Sequence, residues 1–301
     1  MNNIDRLFDS VAARGHVCVG LDTSADYVPP SGRKGASDAD AVLAFNMAIV
    51  DSTIDIAACY KVQIAYYEEM GLAGLAAYSR TLRHIRKRGG LAIADVKRGD
   101  IADTATRYAR GHFAGDFEAD FVTLSPYMGM DSIEPWIEAA GEKGKGAFVL
   151  MRTSNKGMRD FEFLEIGRGN ETRRVYHAVG DKLAALAEAH RGERGYGAFG
   201  AVVGCTERDE AAEIRAMYPG LFFLIPGYGA QGGAAGDAAL LLRGGNGGVV
   251  NASRSILLAW KASASVDAGA DLDSATIGSA AAAARGAAIE MRDAIWAAAR
   301  T

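Results

Sequence analysis

Residues 91–101 read Leu-Ala-Ile-Ala-Asp-Val-Lys-Arg-Gly-Asp-Ile. The stretch opens as an apolar run without polar alternation, the pattern of a strand covered on both faces, and it ends in a burst of charge. Seven more short apolar runs lie along the chain, at 16–21 (HVCVGL), 56–62 (IAACYKV), 121–124 (FVTL), 147–151 (AFVLM), 199–203 (FGAVV), 221–225 (LFFLI) and 247–250 (GGVV). The segments between them hold helical periodicity, as at 40–51, 66–88, 172–190 and 207–217, and the alanine-rich tail at 279–300 reads as a closing amphipathic helix. Strands that alternate with helices in this way are parallel strands joined by crossovers. Eight such units in 301 residues predict an α/β fold, a single-domain (β/α)8 TIM barrel over residues 1–301, in preference to a doubly wound open sheet.

Composition narrows the class. Hydrophobic residues at 49%, charged residues at 23%, and 37 glycines with no three-residue period exclude disordered and collagen-like chains. Lys and Arg number 33 against 37 Asp and Glu, a net charge of −4, so no global basic field attracts nucleic acid and no polybasic arm attracts a membrane. Any anionic ligand must be held locally. No stretch approaches the ~20 apolar residues of a membrane span. Residues 1–14 set Asp5, Arg6 and Asp9 among apolar positions at helical spacing, unlike a secretory leader, and a cytoplasmic protein is expected. Cys18, Cys59 and Cys205 each lie in or beside an apolar stretch and are expected as buried reduced thiols. His16, His84, His112, His177 and His190 have no metal-ligand spacing, so no metal site is expected; Trp136, Trp260 and Trp296 fit helix packing.

Barrel enzymes carry their chemistry at the C-terminal ends of the strands, so charge at a strand end is the informative feature. The third run places Asp95 and Lys97 two residues apart, on one side and toward the barrel mouth. The second ends in Tyr60-Lys61-Val62-Gln63 and the first in Leu21-Asp22. Buried ion pairs are costly to maintain for stability alone, so four charges from three consecutive strand ends read as a site. After the seventh run comes Gly227-Tyr228-Gly229-Ala230-Gln231-Gly232-Gly233, whose glycines are expected to expose backbone N–H groups, and after the eighth comes Arg254. That is where barrels commonly hold phosphate. The longest interval separates the fifth and sixth runs, and its polar part at 155–170 is expected as a long loop insertion able to act as a lid.

Residues 95–101, Asp-Val-Lys-Arg-Gly-Asp-Ile, resemble the D-x-K-x-x-D-I signature of orotidine 5'-phosphate decarboxylases. The resemblance covers nearly the whole chain, through Val19-Gly20-Leu21-Asp22, Phe45-Asn46, Tyr60-Lys61, Ala65-Tyr66-Tyr67-Glu68, Thr153-Ser154-Asn155, Val202-Val203-Gly204, the glycine-rich segment from Pro226, and Asn251-Ala252-Ser253-Arg254. Length and the long fifth loop resemble the larger bacterial branch. Val62 and Lys156 stand where that family often has proline, positions of loop geometry rather than chemistry.

The resemblance implies decarboxylation of orotidine 5'-phosphate to UMP in pyrimidine biosynthesis, without cofactor or metal, with a nucleotide as the small-molecule partner. Loss of CO2 leaves a carbanion at C6 that no neighbouring π-system delocalises, so the protein must stabilise it electrostatically. By resemblance Lys97 holds positive charge at C6 and delivers the proton, Asp95 orients Lys97 and Lys61, and Lys61 links the carboxylates to the ribose. Asp22 accepts from a ribose hydroxyl, Ser154 meets the pyrimidine amide edge, and Gly229, Gln231 and Arg254 hold the phosphate. The resemblance also implies a homodimer in which Asp100, Ile101 and Thr104 reach the partner's site, Gly99 turning the chain away from the strand; Asp100 as N-cap of its own next helix is the local alternative. Two other functions compete: a metal-dependent hexulose- or gulonate-phosphate lyase of the same superfamily, and a non-catalytic phosphate-binding barrel.

Overall fold

The structure, a computed structural model, describes residues 2–141, 143–167, 172–229, 231–266 and 275–300. Its strands are β1 (Val17–Leu21), β2 (Cys59–Gln63), β3 (Ala92–Arg98), β4 (Phe121–Leu124), β5 (Gly146–Arg152), β6 (Glu165–Ile166), β7 (Arg173–Arg174), β8 (Phe199–Val203), β9 (Phe223–Ile225) and β10 (Gly248–Ala252). All but β6 and β7 close into a parallel barrel in the order β1-β2-β3-β4-β5-β8-β9-β10, with β10 pairing back to β1. This is the (β/α)8 barrel the sequence predicts. Its helices are α1 (Asn3–Arg14), α2 (Pro30–Arg33), α3 (Asp38–Thr53), α4 (Ala65–Glu68), α5 (Gly71–Lys87), α6 (Ala102–Phe113), α7 (Glu134–Gly141), α8 (Val175–Ala189), α9 (Arg208–Met217), α10 (Ala235–Ala239), α11 (Arg254–Leu257), α12 (Ala259–Val266) and α13 (Ile277–Ala298). Among the described residues no helix is long and apolar enough to cross a membrane.

Three elements depart from the sequence reading by more than two residues or by a break, each for a local reason. The second strand begins at Cys59, because the N–H groups of Ile56 and Ala57 still donate to the Thr53 carbonyl and continue the turn off α3. The helix expected at 66–88 is divided into α4 and α5 where Gly71 adopts φ +65°. The helix expected at 172–190 starts at Val175, because Arg173 and Arg174 pair antiparallel with Ile166 and Glu165. The segment expected as a long loop insertion or small excursion contains a 3-10 turn, Lys156–Asp160, and the first strand of this small hairpin. Residues 168–170 of that expectation lie outside the described residues.

Side chains alternate along each barrel strand between the helices and the axis. Toward the axis, Cys18, Cys59, Ile93, Phe121, Phe148, Val202, Leu224 and Val249 pack with Ile4, Leu7 and Val11 of α1, which closes the N-terminal mouth. Each such burial contributes about 1.5–3 kcal/mol, so the lower barrel is a filled core. Cys18 and Cys59, far apart in sequence, are register neighbours there, and all three cysteines are buried free thiols as expected.

Candidate active site

The period of two carries the same inward faces upward into polar residues. Above Cys18 stand Gly20 and Asp22, above Cys59 stand Lys61 and Gln63, above Ile93 stand Asp95 and Lys97, and above Phe121 stands Thr123. At the C-terminal mouth they border a cavity of about 430 Å³, within the ~300–1,000 Å³ typical of small-molecule sites. Its walls carry three cationic groups, Lys61, Lys97 and Arg254, and two carboxylates, Asp22 and Asp95.

The charges form a continuous chain. Lys61 Nζ donates to Asp22 Oδ1 at 2.9 Å and to Asp95 Oδ2 at 2.8 Å, and Lys97 Nζ donates to Asp95 Oδ1 at 2.7 Å. Asp95 also accepts from Gln63 Nε2 at 2.9 Å and from Thr123 Oγ1 at 2.8 Å. Burial by itself would raise the Asp95 carboxyl, but the charges and hydrogen bonds of the two ammonium groups hold it well below the usual carboxylate range. Burial likewise opposes the Lys61 charge, yet Asp22 and Asp95 outweigh it and push its pKa above the ordinary lysine value. Lys61 is buried, whereas the Lys97 side chain is 48% exposed, so one lysine anchors the array and the other faces the cavity. Gly20 makes room: a Cβ there would stand 2.0 Å from Ser253 Oγ, which donates to Asp22 Oδ2 at 3.0 Å.

Of the remaining predicted residues, Ser154, Gln231 and Arg254 line the same cavity. Arg254 has no carboxylate partner within ion-pair distance among the described residues, which leaves its guanidinium available to an anion. The glycine-rich turn differs from the sequence expectation. The N–H groups of Gly229, Gly232 and Gly233 are spent inside the turn, on the carbonyls of Gly233, Gly229 and Gly227, and Gly229 does not line the cavity. Ala230 lies outside the described residues. Tyr228 and Gly227 face the cavity instead.

Asp100, Ile101 and Thr104 stand apart from the cavity of their own chain. Asp100 Oδ1 accepts the Ile101 N–H at 2.9 Å, Ile101 is 46% exposed, and Thr104 is exposed. The N-cap of α6 is Ile101 with no side-chain cap, so Asp100 does not cap its own helix. The turn itself is not made at Gly99. The positive φ values fall on Lys97, at +42°, and on Ala102, at +50°. A left-handed lysine is uncommon and costs on the order of 1–3 kcal/mol, so the surrounding bonds must hold it.

Four contributors escaped sequence reading. Thr123 and Gln63 complete the Asp95 shell, Ser253 supports Asp22, and Glu162 accepts from Thr153 N at 2.8 Å and Thr153 Oγ1 at 2.7 Å. Thr123 had a weak signal, a polar residue within the apolar run FVTL, and Gln63 shares the phase of Lys61. Glu162 had none, because its place beside Ser154 depends on how the 155–167 segment folds back. Next to it, the fully buried Arg152 donates to the Gly204 carbonyl from below the same loop.

This geometry can hold an anionic group at Arg254 and set an ammonium against a reacting atom between Lys97 and Ser154. Comparison with known proteins shows the family to which the chain is similar. The model of the orotidine 5'-phosphate decarboxylase / HUMPS family matches residues 15–268. The chain is 56% identical over 259 residues to the orotidine 5'-phosphate decarboxylase of Clostridium tetani, covering 86% of this chain and 89% of that one. It is 55% identical to the enzyme of the same name from Clostridium perfringens, with the same coverage. Among solved structures, the OMP decarboxylase of Leishmania donovani superposes with a TM-score of 0.75 at 31% identity, over 100% of both chains.

Proposed function

The chain belongs to the orotidine 5'-phosphate decarboxylase / HUMPS family, and on that premise we propose how its residues convert orotidine 5'-phosphate to UMP and CO2. The reaction is a carboxy-lyase step of pyrimidine biosynthesis. The observation that carries the division of labour is the unbroken Asp22–Lys61–Asp95–Lys97 chain along one side of a cavity whose wall also holds Arg254.

In this reading Arg254, Gln231 and the turn from Gly227 grip the phosphate, and Asp22 and Lys61 meet the ribose. Ser154, on a loop tied down through Thr153 by Glu162, reads the base edge. The substrate carboxylate lies toward Asp95, which stays ionised because its donors leave it no tendency to take a proton. As the C6–CO2 bond breaks, its electron pair remains on C6 and Lys97 supplies the opposing charge. Lys97 then transfers one N–H proton to C6, giving UMP, and recovers a proton from solvent. Electrostatic groups of this kind act because they are fixed before the charge develops. Phosphate binding energy helps draw the glycine-rich turn, self-bonded in this structure, onto the ligand.

The reading places the enzyme in the cytoplasm as a single-domain homodimer. Half-buried Asp100 and exposed Ile101 and Thr104 complete the partner's cavity, in keeping with the exposure of Tyr108, Tyr127 and Met128 on α6 and the loop after β4. The direct test follows the ultraviolet absorbance of orotidine 5'-phosphate with purified protein in chelator. Conversion to UMP is expected, whereas no spectral change at high enzyme concentration refutes the reading and a strict divalent-metal requirement points to a sugar-phosphate lyase.

A further inference from the structure

We propose that Thr123 is a positioning residue for this reaction: its hydroxyl clamps the bulge in β3 and thereby aims Lys97 at the reacting carbon. The inference rests on the function proposed above. Between Ala94 and Arg98, β3 loses register with β4, since Ala94 pairs with Val122 and Arg98 with Leu124, so β3 advances from 94 to 98 while β4 advances only from 122 to 124. An irregularity of this type leaves backbone groups that the ladder cannot pair, and re-aims the side chains it carries. Thr123, 1% exposed, fills that gap: its Oγ1 accepts from Val96 N at 3.0 Å and Lys97 N at 2.9 Å. The same hydroxyl donates to Asp95 Oδ1 at 2.8 Å, the oxygen that accepts from Lys97 Nζ.

A hydroxyl has one proton and two lone pairs, and all three are used here. One side chain thus fixes both ends of Lys97, the left-handed backbone at φ +42° and the carboxylate that its ammonium meets. Valine in its place keeps the shape, leaves the two N–H groups without their acceptor, and deprives Asp95 of a donor. The expected result is a Lys97 that relaxes toward an ordinary backbone conformation and carries its ammonium away from C6.

The experiment compares Thr123→Val and Thr123→Ser with wild type for kcat, KM and the dissociation constant of UMP. Misplacement of a catalytic group by ~1 Å costs roughly 100-fold, so Thr123→Val should lose about that factor in kcat while UMP affinity stays within about threefold. Serine retains the hydroxyl and should recover most of the loss. A merely structural Thr123 would lower thermal stability and leave kcat within about threefold; that outcome, or equal losses in both variants, or parallel loss of UMP binding, overturns the proposal. Should Thr123→Val not fold, Thr123→Ala removes the same hydroxyl with less bulk and is read in its place. If the wild-type protein turns over no orotidine 5'-phosphate, the functional reading fails separately, and crystal structures decide the positioning. A Lys97 that leaves the left-handed region in the variant supports it, and an unmoved Lys97 overturns it.

Discussion

Mixing two inactive variants tests where Asp100 acts. Within its own chain Asp100 is outside the Asp22–Lys61–Asp95–Lys97 array, with Oδ1 turned to the Ile101 N–H, and it neither lines the cavity nor caps α6. If it serves the partner's cavity, each site takes Lys97 from one chain and Asp100 from the other. Lys97→Ala should abolish turnover while retaining UMP, because its charge matters most in the transition state, and Asp100→Ala should be nearly inactive as well. After subunit exchange at equal concentrations, random pairing makes about half the dimers mixed, and each mixed dimer has one site with both native residues, so about a quarter of wild-type site activity should return. The assay is decarboxylation after co-incubation under mild dissociating conditions, with each variant alone carried through the same treatment. Wild type mixed with Lys97→Ala should keep half of its site activity whether or not subunits exchange, and so controls for inactivation by the treatment, while exchange itself is read by native mass spectrometry of a tagged variant. Full exchange without recovered activity would show that Asp100 works in its own chain or not at all, and would refute the shared-site reasoning.

Two other outcomes follow from the same geometry. Arg254→Ala should weaken UMP binding by ~1.5–3 kcal/mol, the contribution of a charge-assisted bond, and leave turnover of phosphate-free orotidine nearly unchanged; an equal loss on both substrates would contradict a phosphate role. His112, buried between the rings of Phe117 and Trp136, has its pKa pulled down to about 4 by burial, with the nearby Arg98 charge adding to the effect. The unfolded chain takes up that proton near the ordinary pKa of ~6.5, so stability is fully present above that pH and falls as the pH drops toward 4, by roughly 3 kcal/mol over the window. Urea denaturation of wild type and His112→Phe across this range should show a shallower pH slope in the variant, and identical slopes would rule His112 out as the source.

The eightfold strand pattern and its order were legible because each barrel strand declares itself locally, as a short apolar run between helical segments. The phase of the site was legible for the same reason. A period of two puts Asp95 on one inward face and Lys61 on the next, wherever the neighbouring strands fall, whereas the aim of Lys97 depends on the bulge against β4. Contacts that depend on register between strands were not. Thr123 meets Asp95 only because β3 slips against β4, and nothing within either run encodes that slip. The left-handed backbone of Lys97 was hidden behind Gly99, the residue that conformational preference alone would choose for the turn. Likewise, glycines read as free donors proved bonded to one another, since a tight turn can satisfy its N–H groups with its own carbonyls, a pairing that composition does not reveal. Chain-local chemistry set which residues could meet. Which of them share one hydroxyl, one carboxylate or one subunit is decided by packing across the barrel, where the cost of leaving a buried polar group unpaired selects a single arrangement.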